Sequence, residues 1–154
     1  MKENGHTTEE LDQVLNACRP EDLSDYLEEN PDRLYKGEHA FSDYMRARLR
    51  ARGLTQQEVF LAADLPERYG YKLISGEKHT RQRDTILRIC LAAHFTLNET
   101  QTALKLYGMS PLYARIPRDT AMIIAFNTGM YDPYDVNRLL EDNGLDPLGT
   151  CGET

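Results

Sequence analysis

An all-α fold is predicted by three features of this 154-residue chain. Apolar residues recur at i, i+3 and i+4 through most of its length, the spacing that buries one face of a helix. Several of these runs are preceded by Thr-x-x-Glu, the capping box that satisfies free N–H groups in a first turn. The tripeptide Arg83-Asp84-Thr85 recurs as Arg118-Asp119-Thr120, and each copy leads into two further helical patterns.

From the amino end, Thr7-Thr8-Glu9-Glu10 opens a helix to about Ala17, with Leu11, Val14, Leu15 and Cys18 on one face. Pro20 suits the first turn of a second helix reaching about Glu29, where Leu23, Tyr26 and Leu27 repeat the spacing. Asn30-Pro31-Asp32 ends it, and Arg33 to Ala40 reads as a linker. Phe41 and Ser42 begin a helix that runs to Arg52 and stops at Gly53.

Leu54 to Leu65, continuing through Tyr69 and Leu73 to Gly76, reads as two short helices joined by a tight turn. That layout can place its second helix in a DNA groove. Thr55 and Glu58 form the capping box, Val59, Ala62 and Ala63 supply an apolar stripe, and Leu65 seats the turn. Leu73 and Ile74 fall on the buried side.

After this motif the two Arg-Asp-Thr copies each open a helical hairpin. The first closes at Gly108-Met109-Ser110-Pro111-Leu112 and the second at Gly144-Leu145-Asp146-Pro147-Leu148. The offset is 35 residues at the start and 36 at the exit, so the second hairpin gained one residue in its turn. Thr96 with Glu99, and Asp132 followed by Pro133, are the helix-start signals within the two turns. Ile86, Ile89, Cys90, Ala93 and Leu104 of the first copy are expected to pack against Met122, Ile123, Ala125, Phe126, Val136, Leu139 and Leu140 of the second.

Gly53, Leu54, Thr55, Gln56, Glu58, Ala62, Ala63, Leu65 and Gly76 carry a resemblance to a known family. Over Phe41 to Ala93 the chain resembles the phage-repressor and Cro-like helix-turn-helix family, the xenobiotic-response-element class. It departs from the family pattern at four places. Asp64 stands at the usual turn glycine, Gly70 replaces a buried aliphatic residue inside the second helix, and Glu67 puts a negative charge near its start. Leu49 and Ile74 are apolar where many members carry a buried Arg–Glu pair, an exchange that is energetically reasonable.

The expected organisation is therefore a repressor-like helix-turn-helix core with two N-terminal helices and a duplicated C-terminal helical hairpin. Residues 1–40 form an acidic helical pair and linker, 41–94 the core, 83–148 two tandem hairpins sharing their first helix with the core, and 149–154 a flexible tail. From the core onward and before it, the chain is expected to build one continuous helical body.

Net charge is −7, which is unusual for a nucleic-acid binder, so its distribution matters. Residues 1–40 hold four basic and eleven acidic side chains, and 95–154 hold four and eight. Residues 41–94 hold ten basic and six acidic, so the one basic segment coincides with the helix-turn-helix candidate. Cys18, Cys90 and Cys151 are scattered and form no C-x-x-C or Cys/His cluster, so neither a disulfide frame nor a metal site is expected. His6, His39, His79 and His94 are isolated. The polar, acidic first residues are unlike a signal peptide, and no run is long enough to span a membrane. A cytoplasmic protein with no cofactor and no catalytic constellation is the expectation.

The resemblance implies a DNA-binding transcriptional regulator acting as a homodimer on double-stranded DNA. Arg68, Tyr69, Tyr71 and Lys72, at the start of the reading helix, are the candidates for base or phosphate contact. Gln56 and Gln57 would brace the backbone beside it. Lys78, His79 and Arg81 follow in a loop suited to phosphate. Arg83 belongs to the repeated doublet and reads better as a hairpin brace. Arg46 and Arg50 share one helix face, whereas Arg48 and Arg52 flank the apolar side. The alternative is a protein-interaction adaptor that keeps the fold without reading DNA, with the C-terminal hairpins as a partner surface.

Overall fold

The computed structural model describes residues 8–24 and 39–149. All their regular structure is helical. The two stretches belong to separate compact units, so the continuous body expected from the sequence begins only at residue 39. The first holds α1 (Thr8–Asn16) and a 3-10 turn at Pro20–Asp22. Leu11 of α1 is half-buried while Val14 and Leu15 are exposed. Thr7 and the continuation of the expected second helix past Ser24 lie outside the described residues.

The second unit comprises α2 (Ala40–Ala51), α3 (Gln56–Ala62), α4 (Glu67–Ser75), α5 (Arg83–Ala92), α6 (Leu97–Tyr107), α7 (Pro117–Thr128) and α8 (Pro133–Asp142). Helix α3 packs on α4 and α5, α2 packs on α4 and α6, and α6 connects the body to the α7–α8 pair. One core runs through all seven helices, from Phe41 and Met45 through Phe60, Leu73 and Ile89 to Leu104, Met122, Val136 and Leu140. Leu49 and Ile74 are 2% and 0% exposed, so the apolar pair stands inside this core.

Three hairpins, not two, share one design. Helices α3–α4, α5–α6 and α7–α8 are each joined by four residues, 63–66, 93–96 and 129–132. Each turn pivots on one left-handed residue: Asp64 at φ 55°, His94 at 57° and Gly129 at 71°. Beyond each pivot an apolar residue donates its N–H five positions back: Leu65 to Phe60 at 3.0 Å, Phe95 to Cys90 at 3.1 Å and Met130 to Ala125 at 2.9 Å. The extra residue of the third turn lies between pivot and N-cap, where Met130 and Tyr131 replace the lone Leu65 or Phe95.

The apolar stripe of α3 is rotated from the one expected. Val59, Phe60 and Ala63 are buried, and Ala62 is exposed. Phe60 explains Gly70. A Cβ at residue 70 would lie 2.6–2.7 Å from three carbon atoms of the Phe60 ring. The ring thus fills the space a side chain at 70 would occupy, so the glycine costs helix propensity without leaving a void.

The two Arg-Asp doublets cross-link their hairpins reciprocally. Arg118 donates to both carboxylate oxygens of Asp84, at 2.8 and 2.9 Å, while Arg83 pairs with Asp119. Each arginine also holds the other end of its own hairpin: Arg83 bonds the Ser110 carbonyl at 3.3 Å, and Arg118 those of Asp146 and Pro147 at 2.9 Å. Each aspartate's second role is matched as well. Asp119 accepts the Tyr113 N–H and Asp84 the Gly149 N–H, both at 2.9 Å. Gln101 and Asn137 accept the N–H groups of Leu112 and Leu148, both at 2.7 Å. Burial raises the Asp84 carboxyl, but the bonds from Arg118 and Gly149 outweigh it and hold it below the usual carboxylate range.

Candidate nucleic-acid interface

Helix α4 begins at Glu67 after Pro66 and ends on Gly76, which has φ 87°. Its inner face is set by Tyr69, Gly70, Leu73 and Ile74, all buried. Its outer face follows from the 100° rotation per residue: Arg68, Tyr71, Lys72 and Ser75 fall within about 100° of arc. Arg68, Tyr71 and Ser75 are exposed and Lys72 is half-buried. Tyr71 packs edge-on against Phe60 with centroids 5.2 Å apart, which aims its ring along the helix surface. Its hydroxyl donates to Glu67 at 3.2 Å, and burial together with that carboxylate raises its pKa.

Other candidates divide. Gln56 is half-buried and Gln57 exposed at the start of α3, where Thr55 caps the helix by accepting the Glu58 N–H at 3.1 Å. Lys78 and Arg81 lie in the loop after α4, Lys78 half-buried and Arg81 exposed. His79 is in the same loop but is stacked on Tyr107, with ring centroids 4.3 Å apart and planes 14° from parallel. Tyr107 accepts the Thr80 N–H at its hydroxyl, 2.8 Å away, so this loop is pinned to α6. Tyr69 must be removed from the contact set. It is 2% exposed and its hydroxyl is buried without a hydrogen-bond partner, because its position on α4 faces the core.

The basic excess of residues 41–94 is largely internal. Arg52 forms a two-pronged pair with Glu99 of α6, and Arg48 lies 3.8 Å from the same carboxylate. Arg52 also covers the Phe95 ring, with 5.1 Å to its centroid. Glu99 caps α6 by accepting the Thr96 N–H at 2.9 Å. Burial raises its carboxyl, but Arg52 and that N–H bring it below the usual range. Arg83 is held by Asp119, and Arg88 donates to the carbonyls of Gly149 at 2.7 Å and Leu148 at 3.2 Å. Asp84 is taken by Arg118. Outside these clamps stand six basic residues (Arg46, Arg50, Arg68, Lys72, Lys78, Arg81) against five acidic ones (Asp43, Glu58, Asp64, Glu67, Glu77), so the surface is close to neutral.

Sequence reasoning missed Glu99 as a charge partner and Arg88 as a clamp on main-chain carbonyls because their mates are 47 to 61 residues away. It also missed that the α3–α4 pair is a third hairpin. The signal was present: Leu61-Ala62-Ala63-Asp64-Leu65 and Leu91-Ala92-Ala93-His94-Phe95 share a pattern around each pivot. Among the described residues no group of three metal-ligating side chains exists, and no helix is long and apolar enough to cross a membrane. No family model, curated protein or solved structure matches the chain.

Proposed function

We propose that the protein is a sequence-specific DNA-binding transcriptional regulator of the cytoplasm, working as a homodimer with α4 in the major groove. The observation that carries this is the outer face of α4. Arg68, Tyr71, Lys72 and Ser75 offer hydrogen-bonding side chains over two turns, on a helix whose inner face is locked into the core. In this reading Arg68 would bond a guanine edge, and Lys72, Lys78 and Arg81 would contact phosphates. With about three phosphate contacts from each protomer, and so about six from the dimer, the logarithm of affinity should fall against that of salt with a slope of about −5.

Fluorescence anisotropy against a randomised duplex pool at two salt concentrations, with sequencing of the retained fraction, tests the reading. A palindromic enriched site supports it, and Arg68→Ala should then relax preference at one base pair in each half-site. Absence of retention at low salt would overturn it. One observation favours a second reading, a protein-interaction module that kept this fold. The near-neutral surface of residues 41–94 provides little of the sequence-independent attraction on which duplex binding ordinarily rests.

A further inference from the structure

Where the α3–α4 turn faces the C-terminal hairpin there is an open groove of about 590 Å³. Leu61 and Tyr134 both line it, and at 82% and 83% they are the most exposed large apolar side chains among the described residues. Tyr131 and His94 form another part of the wall as a stacked pair, with centroids 4.5 Å apart and planes 7° from parallel. Two exposed leucine-sized and aromatic groups converging on one concavity are unusual for a surface with no partner.

The polar groups of the groove say what kind of partner fits. Arg88 is spent on the main chain, where it holds the carbonyls of Leu148 and Gly149. Asn137 accepts the Leu148 N–H through its side-chain oxygen. Two carboxylates keep acceptor capacity. Asp64 stands exposed at the turn and forms no ion pair, and Asp132 uses one oxygen to cap α8 through the Tyr134 N–H at 2.9 Å. Carboxylates beside tyrosine faces and an exposed leucine complement a cation carried on an apolar segment.

We infer that this groove is a docking site for a partner-protein segment in which a lysine or arginine is flanked by apolar side chains. The cation lies between Asp64 and Asp132 over a tyrosine ring, and the apolar neighbours cover Leu61 and Tyr134. The inference does not rest on DNA binding, because the outer face of α4 contributes nothing to the groove. A partner seated there would touch the turn that leads into α4, and so would be placed to modulate whatever that helix does.

The test is a nitrogen-15 NMR titration of the full chain with two peptides, N-acetyl-Leu-Arg-Leu-amide and N-acetyl-Leu-Glu-Leu-amide. The arginine peptide should shift amides at 61–64, 92–94 and 131–137, and the glutamate peptide should bind about tenfold more weakly, as one favourable charge contact exchanged for repulsion implies. The double variant D64N/D132N keeps the α8 cap, since asparagine also caps, and should erase the difference between the peptides. Equal shifts from both peptides would overturn the charge assignment. Failure of the arginine peptide to shift these amides at millimolar concentration would overturn the site. Neither outcome bears on duplex binding, which is read separately.

Discussion

Replacing Gly70 by alanine is the sharpest test of how this core is built. In an exposed helix interior the change stabilises by about 1 kcal/mol, because glycine loses more backbone entropy on folding. Here the new methyl would meet the Phe60 ring at 2.6–2.7 Å, a distance at which something must move. Phe60 is 0% exposed and touches Tyr71 edge-on, so its ring has no open side to swing into. Overpacking of this kind costs about 1–3 kcal/mol and occasionally more. Set against the propensity gain, the net expectation is a loss of about 0–2 kcal/mol, at roughly 3–6 °C in Tm per kcal/mol for a unit of this size. Phe60→Leu alone should also destabilise, by about 1–2 kcal/mol, through the space it opens. The double variant F60L/G70A should then be more stable than the sum of the two losses by about 1 kcal/mol or more, since each change corrects the other. Urea unfolding of the four proteins measures this cycle. A G70A protein more stable than the parent by the full propensity gain of about 1 kcal/mol, or strict additivity, would refute the claim that ring and glycine are a matched pair.

Four further predictions are independent of that one. Tyr69→Phe should raise stability by about 1 kcal/mol in urea unfolding, because it deletes a buried hydroxyl that has no partner, and it should leave any duplex affinity unchanged. Asp84→Asn should cost about 1–3 kcal/mol at neutral pH by leaving Arg118 half-paired. Asp84 and Glu99 are both held below their unfolded values, so their stabilisation is fully present above about pH 5 and is lost as pH falls through the folded values. The urea midpoint should accordingly hold from pH 7 to about 5 and drop below about 4, with a shallower drop in D84N. Burial pushes the Cys90 thiol up to about 12, so iodoacetamide at pH 8 should leave it unmodified in the native protein and label it after unfolding, as read by peptide mass spectrometry.

What was legible in the sequence was local. Capping boxes and N-caps at Thr55, Thr96 and Asp132 mark helix starts because the interaction spans only two or three residues. Asp64 was readable as a turn residue because aspartate tolerates the left-handed region. The Arg-Asp-Thr repeat pointed to a brace, but its crossed pairing did not follow from spacing, since an arginine bonding its own neighbour was equally compatible. Tyr69 and Tyr71 illustrate the limit. Both look like long hydrogen-bonding side chains on a reading helix, and a 200° difference in helical position sends one into the core and leaves the other outside. The stripe of α3 differs for the same reason: Phe60, the buried residue, and Ala62, the expected one, are about 200° apart on the helix.

The arginines explain why net charge along the chain misleads about what this surface attracts. A basic segment flanked by acidic ones suggests a phosphate footprint, yet Arg48, Arg52 and Arg83 find their carboxylates in the acidic C-terminal part, and Arg118 of that part finds Asp84 in the basic one. Charge asymmetry between segments is therefore partly the signature of long-range clamps, each exchanging one charge across the hairpins. What such clamps leave behind is the surface. Around α4 it is a short strip of hydrogen-bonding side chains with little surplus charge, and beside the α3–α4 turn it is an open groove of mixed polarity with spare carboxylates. A regulator built this way would draw its selectivity from the few contacts of Arg68 and Lys72 more than from bulk attraction to phosphate. Reversing Glu67 to lysine should strengthen binding to all duplexes alike, at a cost in discrimination between the preferred site and random DNA that the same anisotropy assay would register.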